Sequence, residues 1–246
     1  MTDANATARA ALEAAHPELV ALSHRIYENP ELGYEEVQAA EWLTDVLEGN
    51  GFEVQRGFGD MPTAFVASTG SGPLHVAICA EYDALPGVGH ACGHNVICTA
   101  ALGAAIALKP VAEELGIRLT VLGTPAEEGG GGKIPFIEAG FFEDVHASMM
   151  VHPFPSDDSD PAIIAVQQLN VAYSGRAAHA SGYPWQGINA ADAMVVAQTA
   201  IALMRQQILP TDRIHGIVTK GGDAANIIPD RTTAEYMVRA ATADRL

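Results

Sequence analysis

Short apolar runs alternate with helix-patterned segments through the first 151 residues of this chain, and each run stops at glycine, proline or charge. The runs cover residues 63–67, 74–80, 118–122 and 147–151, with helix-like segments at 94–108 and 132–140 between the last three. Runs this short read as strands, and strands alternating with helices build a mainly parallel sheet covered on both faces. Ahead of them, residues 8–27 and 34–49 carry apolar positions at helical spacing and are parted by the Asn29-Pro30 turn signal. The longest apolar run, 97–108, falls short of the ~20 residues that span a bilayer and reads as a buried helix.

The tract 153–161 is polar, acidic and turn-rich, and the pattern changes beyond it. A strand near 163–173, a long helix near 188–207 and strands near 213–219 and 233–239 make an α+β layout, one helix layered on a small antiparallel sheet. The expected fold class is α/β, with a larger domain over residues 1–160 and a smaller α+β domain over 161–246.

Charge narrows the partners. Lysine and arginine number 13 against 30 acidic residues, a net charge of −17, so nucleic acid and anionic membranes are excluded as expected partners. Only Lys109, Lys133 and Lys220 are lysines. Such a composition fits a salt-tolerant host and a biased genome equally. The N-terminal stretch has neither a basic n-region nor an apolar h-region, and three cysteines are an odd number for a disulfide scaffold. A reducing cytoplasm is the expected location.

Three of the expected strands lead directly into metal-ligand chemistry. Leu74–Ala80 runs into Glu81-Tyr-Asp83 and then His90-Ala-Cys92-Gly-His94; 118–122 runs into Glu127-Glu128 and the glycines 129–132; 147–151 runs into His152-Pro153. Functional groups of open α/β sheets gather beyond the carboxyl ends of the strands. Thiolate, imidazole and carboxylate converging there suit zinc or a similar transition ion. Cys92 and His94 are two apart, so in an extended loop both can point to one side. Glu127 and Glu128 diverge, so one can ligate while the other stays free as general base on a metal-activated water. A closed structural zinc site has no use for a spare carboxylate, which argues for catalysis. Cys79 and Cys98 read as core, and His16, His24, His75, His146 and His215 as structural.

Taken as a set, these motifs resemble the co-catalytic metallopeptidase family of aminoacylases and glutamate carboxypeptidases, in its amidohydrolase branch of aminobenzoyl-glutamate, β-alanyl-lysine and auxin-conjugate hydrolases. The stretches that carry the likeness are Asn29-Pro-Glu-Leu-Gly33, Tyr82-Asp-Ala-Leu-Pro86, His90-Ala-Cys-Gly-His94, Pro125-Ala-Glu-Glu-Gly-Gly-Gly-Gly132 and Val151-His-Pro153. In the second domain they are Gly175-Arg-Ala-Ala-His179-Ala, Gly187-Ile-Asn-Ala-Ala-Asp192 and Asn226-Ile-Ile-Pro229. The resemblance implies hydrolysis of an amide bond in small N-acyl amino acids or dipeptides. It implies one or two divalent ions, zinc first, with manganese, cobalt or nickel open. Cys92, His94, Glu128 and His152 are the implied ligands, Cys92 able to bridge two ions. Glu127 is the implied base, Asp83 orients the site, and His179 matches a lid-domain histidine that, in dimeric members, reaches a neighbouring subunit's active site and stabilises the oxyanion there, which implies a homodimer through the lid. A substrate carboxylate needs cationic or amide donors, for which Arg213 and Asn226 are the candidates. Family members continue past the length of this chain, into a segment that brings a last histidine ligand and closing strands. The expectation is therefore a partial chain, and the alternative function is a non-catalytic fragment that retains lid-mediated self-association.

Overall fold

The structure, a computed structural model, describes residues 3–246. Contacts divide it into two units, the first ending at Asp157 and the second spanning Asp158–Leu246.

In the first unit, helix α1 (Ala4–Glu28) and helix α2 (Val37–Gly49) precede strands β1 (Glu53–Phe58), β2 (Met61–Thr69) and β3 (Leu74–Ala80). Helix α3 (His94–Leu108) continues through a 3₁₀ turn at Lys109–Val111 into the short α4 (Ala112–Leu115). Strand β4 (Ile117–Gly123), helix α5 (Lys133–Glu138) and strand β5 (Ala147–Met149) complete the unit. The sheet order is β1-β2-β4-β3-β5. The strands that lead into the site, β4, β3 and β5, run parallel, and β1 and β2 extend the sheet antiparallel. Strand β1 was not expected. Its Glu53, Gln55 and Arg56 give it no apolar run, and it owes its place to pairing with β2.

The main core lies where α1, α2 and α3 cover one face of the sheet, with Ile26, Leu43, Leu47, Phe65, Leu102 and Leu119 buried together. The opposite face carries Met61, Cys79, Leu122 and Phe136, with Phe58 stacked on Phe136 at 4.0 Å. The helical stretch His94–Leu115 is long and apolar enough by composition to cross a membrane, but about two-thirds of it is buried inside the fold, as a core helix is. Asn95 ties its start to α1 through Ser23 Oγ at 3.0 Å.

The second unit holds β6 (Ala165–Ser174), β7 (Ala178–His179), α6 (Ala190–Met204), β8 (Arg213–Lys220), β9 (Ile227–Ile228) and β10 (Arg231–Ala240). Its sheet is antiparallel in the order β6-β10-β8, and β7 pairs with β9 in a separate two-residue ladder. Met194 of α6 packs on Ala234 and Tyr236 of β10. Asn189 precedes helix α6 as its N-cap, its side chain accepting from the Ala191 N–H.

Candidate metal centre

The sheet positions the site by its strand ends. After β3 the chain carries Glu81 and Asp83 under the sheet rim, after β4 it carries Glu127 and Glu128, and after β5 it carries His152. Gly93, at φ +83, turns the chain into α3 with Cys92 on one side and His94 on the other. A Cβ there would lie 2.9 Å from Pro153 Cγ, so glycine lets the Cys92 loop lie directly against His152-Pro153.

His94 is fully buried, and its Nδ1 lies 3.0 Å from Asp83 Oδ1. A carboxylate only accepts, so Nδ1 carries the ring proton and Nε2 presents a lone pair. That Nε2 has no hydrogen-bond partner. Facing it are Glu128 at 3.7 Å, Glu127 at 3.8 Å and Glu81 at 4.0 Å. His152 repeats the arrangement. Its Nδ1 is 2.8 Å from the Pro153 carbonyl, which leaves Nε2 as the lone pair, 3.4 Å from Cys92 Sγ. Cys92, His94 and His152 offer atoms within 4.8 Å of one another, as do Glu81, His94 and Glu127. Two imidazole lone pairs, a thiol and clustered carboxylates, with one ring N–H donating to a carboxylate and the other to a backbone carbonyl, match how proteins hold transition ions. The residues present therefore fit a divalent metal.

The electrostatics are those of a site short of positive charge. Burial first, and then the Glu128, Glu127 and Asp83 carboxylates, push the Cys92 thiol up to about 11. Burial and the neighbouring Glu128 raise Glu127 above the ordinary carboxylate range. Burial also pushes Asp83 upward, but the His94 ring and the Glu128 N–H, at 2.9 Å, outweigh it and hold Asp83 low. For His94 burial favours the neutral ring, and Asp83 with the acidic pair outweighs it, so the ring holds its proton more tightly than usual. A divalent cation would reverse these pressures on the thiol and the ring.

The sequence spacing did not single out Glu81 and Lys133. Glu81 is buried and ion-paired to Lys133 at the start of α5. The alternation that sets Glu81 and Asp83 two apart was the available signal; the reach of Lys133 across the glycine loop had none.

In the second unit His179 is exposed, and its Nδ1 accepts from the backbone N–H of Gly182 at 3.1 Å and of Ser181 at 3.3 Å. The ring proton therefore sits on Nε2, which makes His179 a donor. Asn226 is beside it, because β7 pairs with β9 and the Ala180 N–H donates to the Asn226 carbonyl at 3.0 Å. Arg213 stands at the start of β8 with its guanidinium turned back onto the Pro210 and Asp212 carbonyls. The histidines read as structural include a small network: the His75 ring contacts Thr120, Asp144 and Arg118, and the His75 backbone N–H donates to His146 Nδ1.

Comparison with known proteins gives these features a context. The profile of Peptidase family M20/M25/M40 matches residues 77–242. The chain is 45% identical over 244 residues to an Xaa-Arg dipeptidase from Mus musculus, covering 93% of this chain and 56% of that protein. It is 35% identical over 251 residues to one of the p-aminobenzoyl-glutamate hydrolase polypeptides of Escherichia coli (strain K12), covering 94% of this chain and 52% of that protein. The chain thus spans about half the length of these curated relatives. Among solved structures, the Bacillus subtilis YXEP protein, a dinuclear metal binding peptidase, matches with a TM-score of 0.66 at 23% identity, over 95% of this chain and 66% of that one, a likeness of fold.

Proposed function

The chain belongs to Peptidase family M20/M25/M40, and on that premise we propose that it hydrolyses an amide bond in small N-acyl amino acids or dipeptides. The observation that carries this reading is the buried, unpartnered Nε2 of His94, facing an adjacent pair of carboxylates beside Cys92 and His152. Cys92, His94, Glu128 and His152 would hold one or two divalent ions, zinc favoured by the thiol and imidazole donors. When bound, such an ion would supply Lewis acidity to the scissile carbonyl and acidify water.

The chain's own residues do the rest. Glu127, the more exposed of the acidic pair, takes a proton from the attacking water as the C–O bond forms. As the C–N bond breaks it returns that proton to the departing amine, so amide and water become carboxylate and amine. Asp83 keeps the His94 proton on Nδ1 and steadies the Glu128 backbone. In the homodimer, His179, with its proton on Nε2, would reach the neighbouring subunit's centre and donate to the developing oxyanion there, a contribution of ~2.7–4 kcal/mol for such a donor. Asn226 and Arg213 are the candidates for the substrate's carboxylate. The reading also takes residues 1–160 as the catalytic domain and 161–246 as a lid that forms a homodimer. A cytoplasmic location goes with it, supported by the three free cysteines.

Elemental analysis and hydrolysis of an Xaa-Arg dipeptide and of p-aminobenzoyl-glutamate, on one sample, test the proposal. One or two ions per chain with turnover are expected. Glu127→Gln should keep its metal and lose ~10²–10⁴-fold in turnover. Unchanged turnover in that variant overturns the base assignment.

A further inference from the structure

Ala126, the residue before the acidic pair, adopts φ +56, a left-handed conformation uncommon for a residue with a side chain. Both of its backbone polar groups are held. Its carbonyl accepts from the N–H groups of Gly130 and Gly131 at 2.9 and 2.8 Å. Its N–H donates to Glu36 Oε1 at 2.8 Å, from a residue 90 positions away in the chain. Glu36 is fully buried at the N-cap of α2, yet its side chain makes no bond to that helix. Its other oxygen accepts from Thr63 Oγ1 at 3.0 Å, and the Tyr82 hydroxyl fixes the Thr63 carbonyl at 2.6 Å. Gly33 closes the remaining side, where a Cβ would lie 2.9 Å from the Ala126 Cβ. An N-cap carboxylate would ordinarily serve its own helix. Here it serves the loop that carries the catalytic pair.

We propose that Glu36 is a positioning residue: by accepting the Ala126 N–H it holds Ala126 left-handed and so aims Glu127 and Glu128 at His94. The proposal rests on the metal-centre reading above. Without that acceptor Ala126 relaxes toward the right-handed region, and the carboxylates turn away from the Nε2 they now face at 3.8 and 3.7 Å.

Zinc affinity of the full chain, measured by competition with a chelator, tests this. Glu36→Gln keeps an acceptor for the Ala126 N–H and should bind zinc as the parent does. Glu36→Met removes it and should bind at least ~10-fold more weakly, the scale of losing an outer partner of a metal site. Glycine takes a positive φ without help, so adding Ala126→Gly to Glu36→Met should restore most of the loss. Parental affinity in Glu36→Met overturns the proposal, as does a folded Glu36→Met/Ala126→Gly double variant that binds no better. If Glu36→Met does not fold, Thr63→Val and Glu36→Leu are measured together. Because Thr63→Val leaves the Oε1 acceptor in place, it serves as the control expected to keep near-parental affinity, and Glu36→Leu, which also removes the acceptor for the Ala126 N–H, carries the test in its stead; parental affinity in Glu36→Leu overturns the proposal. Cys92→Ala separates the two readings, because it leaves Glu36 untouched: undiminished zinc binding by that variant sinks the metal centre itself, and the Glu36 proposal with it.

Discussion

At the scale of single residues, what distinguishes the histidines is which ring nitrogen is engaged. His94 and His152 each spend Nδ1 on an acceptor and keep Nε2 as a lone pair, whereas His179 accepts at Nδ1 and keeps Nε2 as a donor. None of this is visible in a string of letters, since it depends on a carboxylate, a carbonyl and two amides brought up by the fold. Asp83 is the most exacting of these partners, because its two oxygens accept from different groups, the His94 ring and the Glu128 N–H. An asparagine can accept with one atom only and must point donors at the other. Asp83→Asn should therefore cost ~10–100-fold in metal affinity, read by chelator competition. An affinity equal to the parent's would mean that Asp83 does not orient the ligand.

At the scale of elements, the strongly apolar stretches were legible in advance. Strand β3 and helix α3 have the bounds the sequence suggests, because most of their residues are apolar and buried. Strand β1 was hidden by its polar side chains, and the role of Glu36 by its distance in sequence from Ala126. The run of glycines between β4 and α5 stood out in the sequence, but not the inequality of its members. A Cβ on Gly129 meets nothing within 4 Å, whereas one on Gly132 would overlap the Pro125 carbonyl and one on Gly130 would lie 2.7 Å from the Ala126 Cβ. Gly129→Ala should thus change stability by less than ~0.5 kcal/mol. Gly132→Ala should lower it by ~1–3 kcal/mol in denaturant titrations. Equal effects at the two positions would mean that the loop is not packed as described.

At the scale of the whole molecule, the four candidate ligands Cys92, His94, Glu128 and His152 all precede the division at Asp157. Metal should then stabilise the first unit alone, by ~2.7 kcal/mol at a free concentration 100 times Kd. The chain carries its own reporters, since Trp42 lies in the first unit and Trp185 in the second. In single-tryptophan variants, chelation should lower the midpoint followed by Trp42 and leave that followed by Trp185 in place. A shift seen by Trp185 would mean that the second unit also holds metal or unfolds together with the first.

The scarcity of lysine has a practical side. Lys109 donates to the Asn50 carbonyl at 2.5 Å, Lys220 pairs with Asp223 at 2.8 Å, and Lys133 is the partner of the buried Glu81. Amine-reactive reagents, which decorate most proteins almost at random, would find only these three side-chain amines. One of them, about one-third exposed, stands beside the acidic cluster. Acylation there would erase the charge opposite Glu81, so a simple mass spectrum of the labelled protein would report directly how accessible that one amine is.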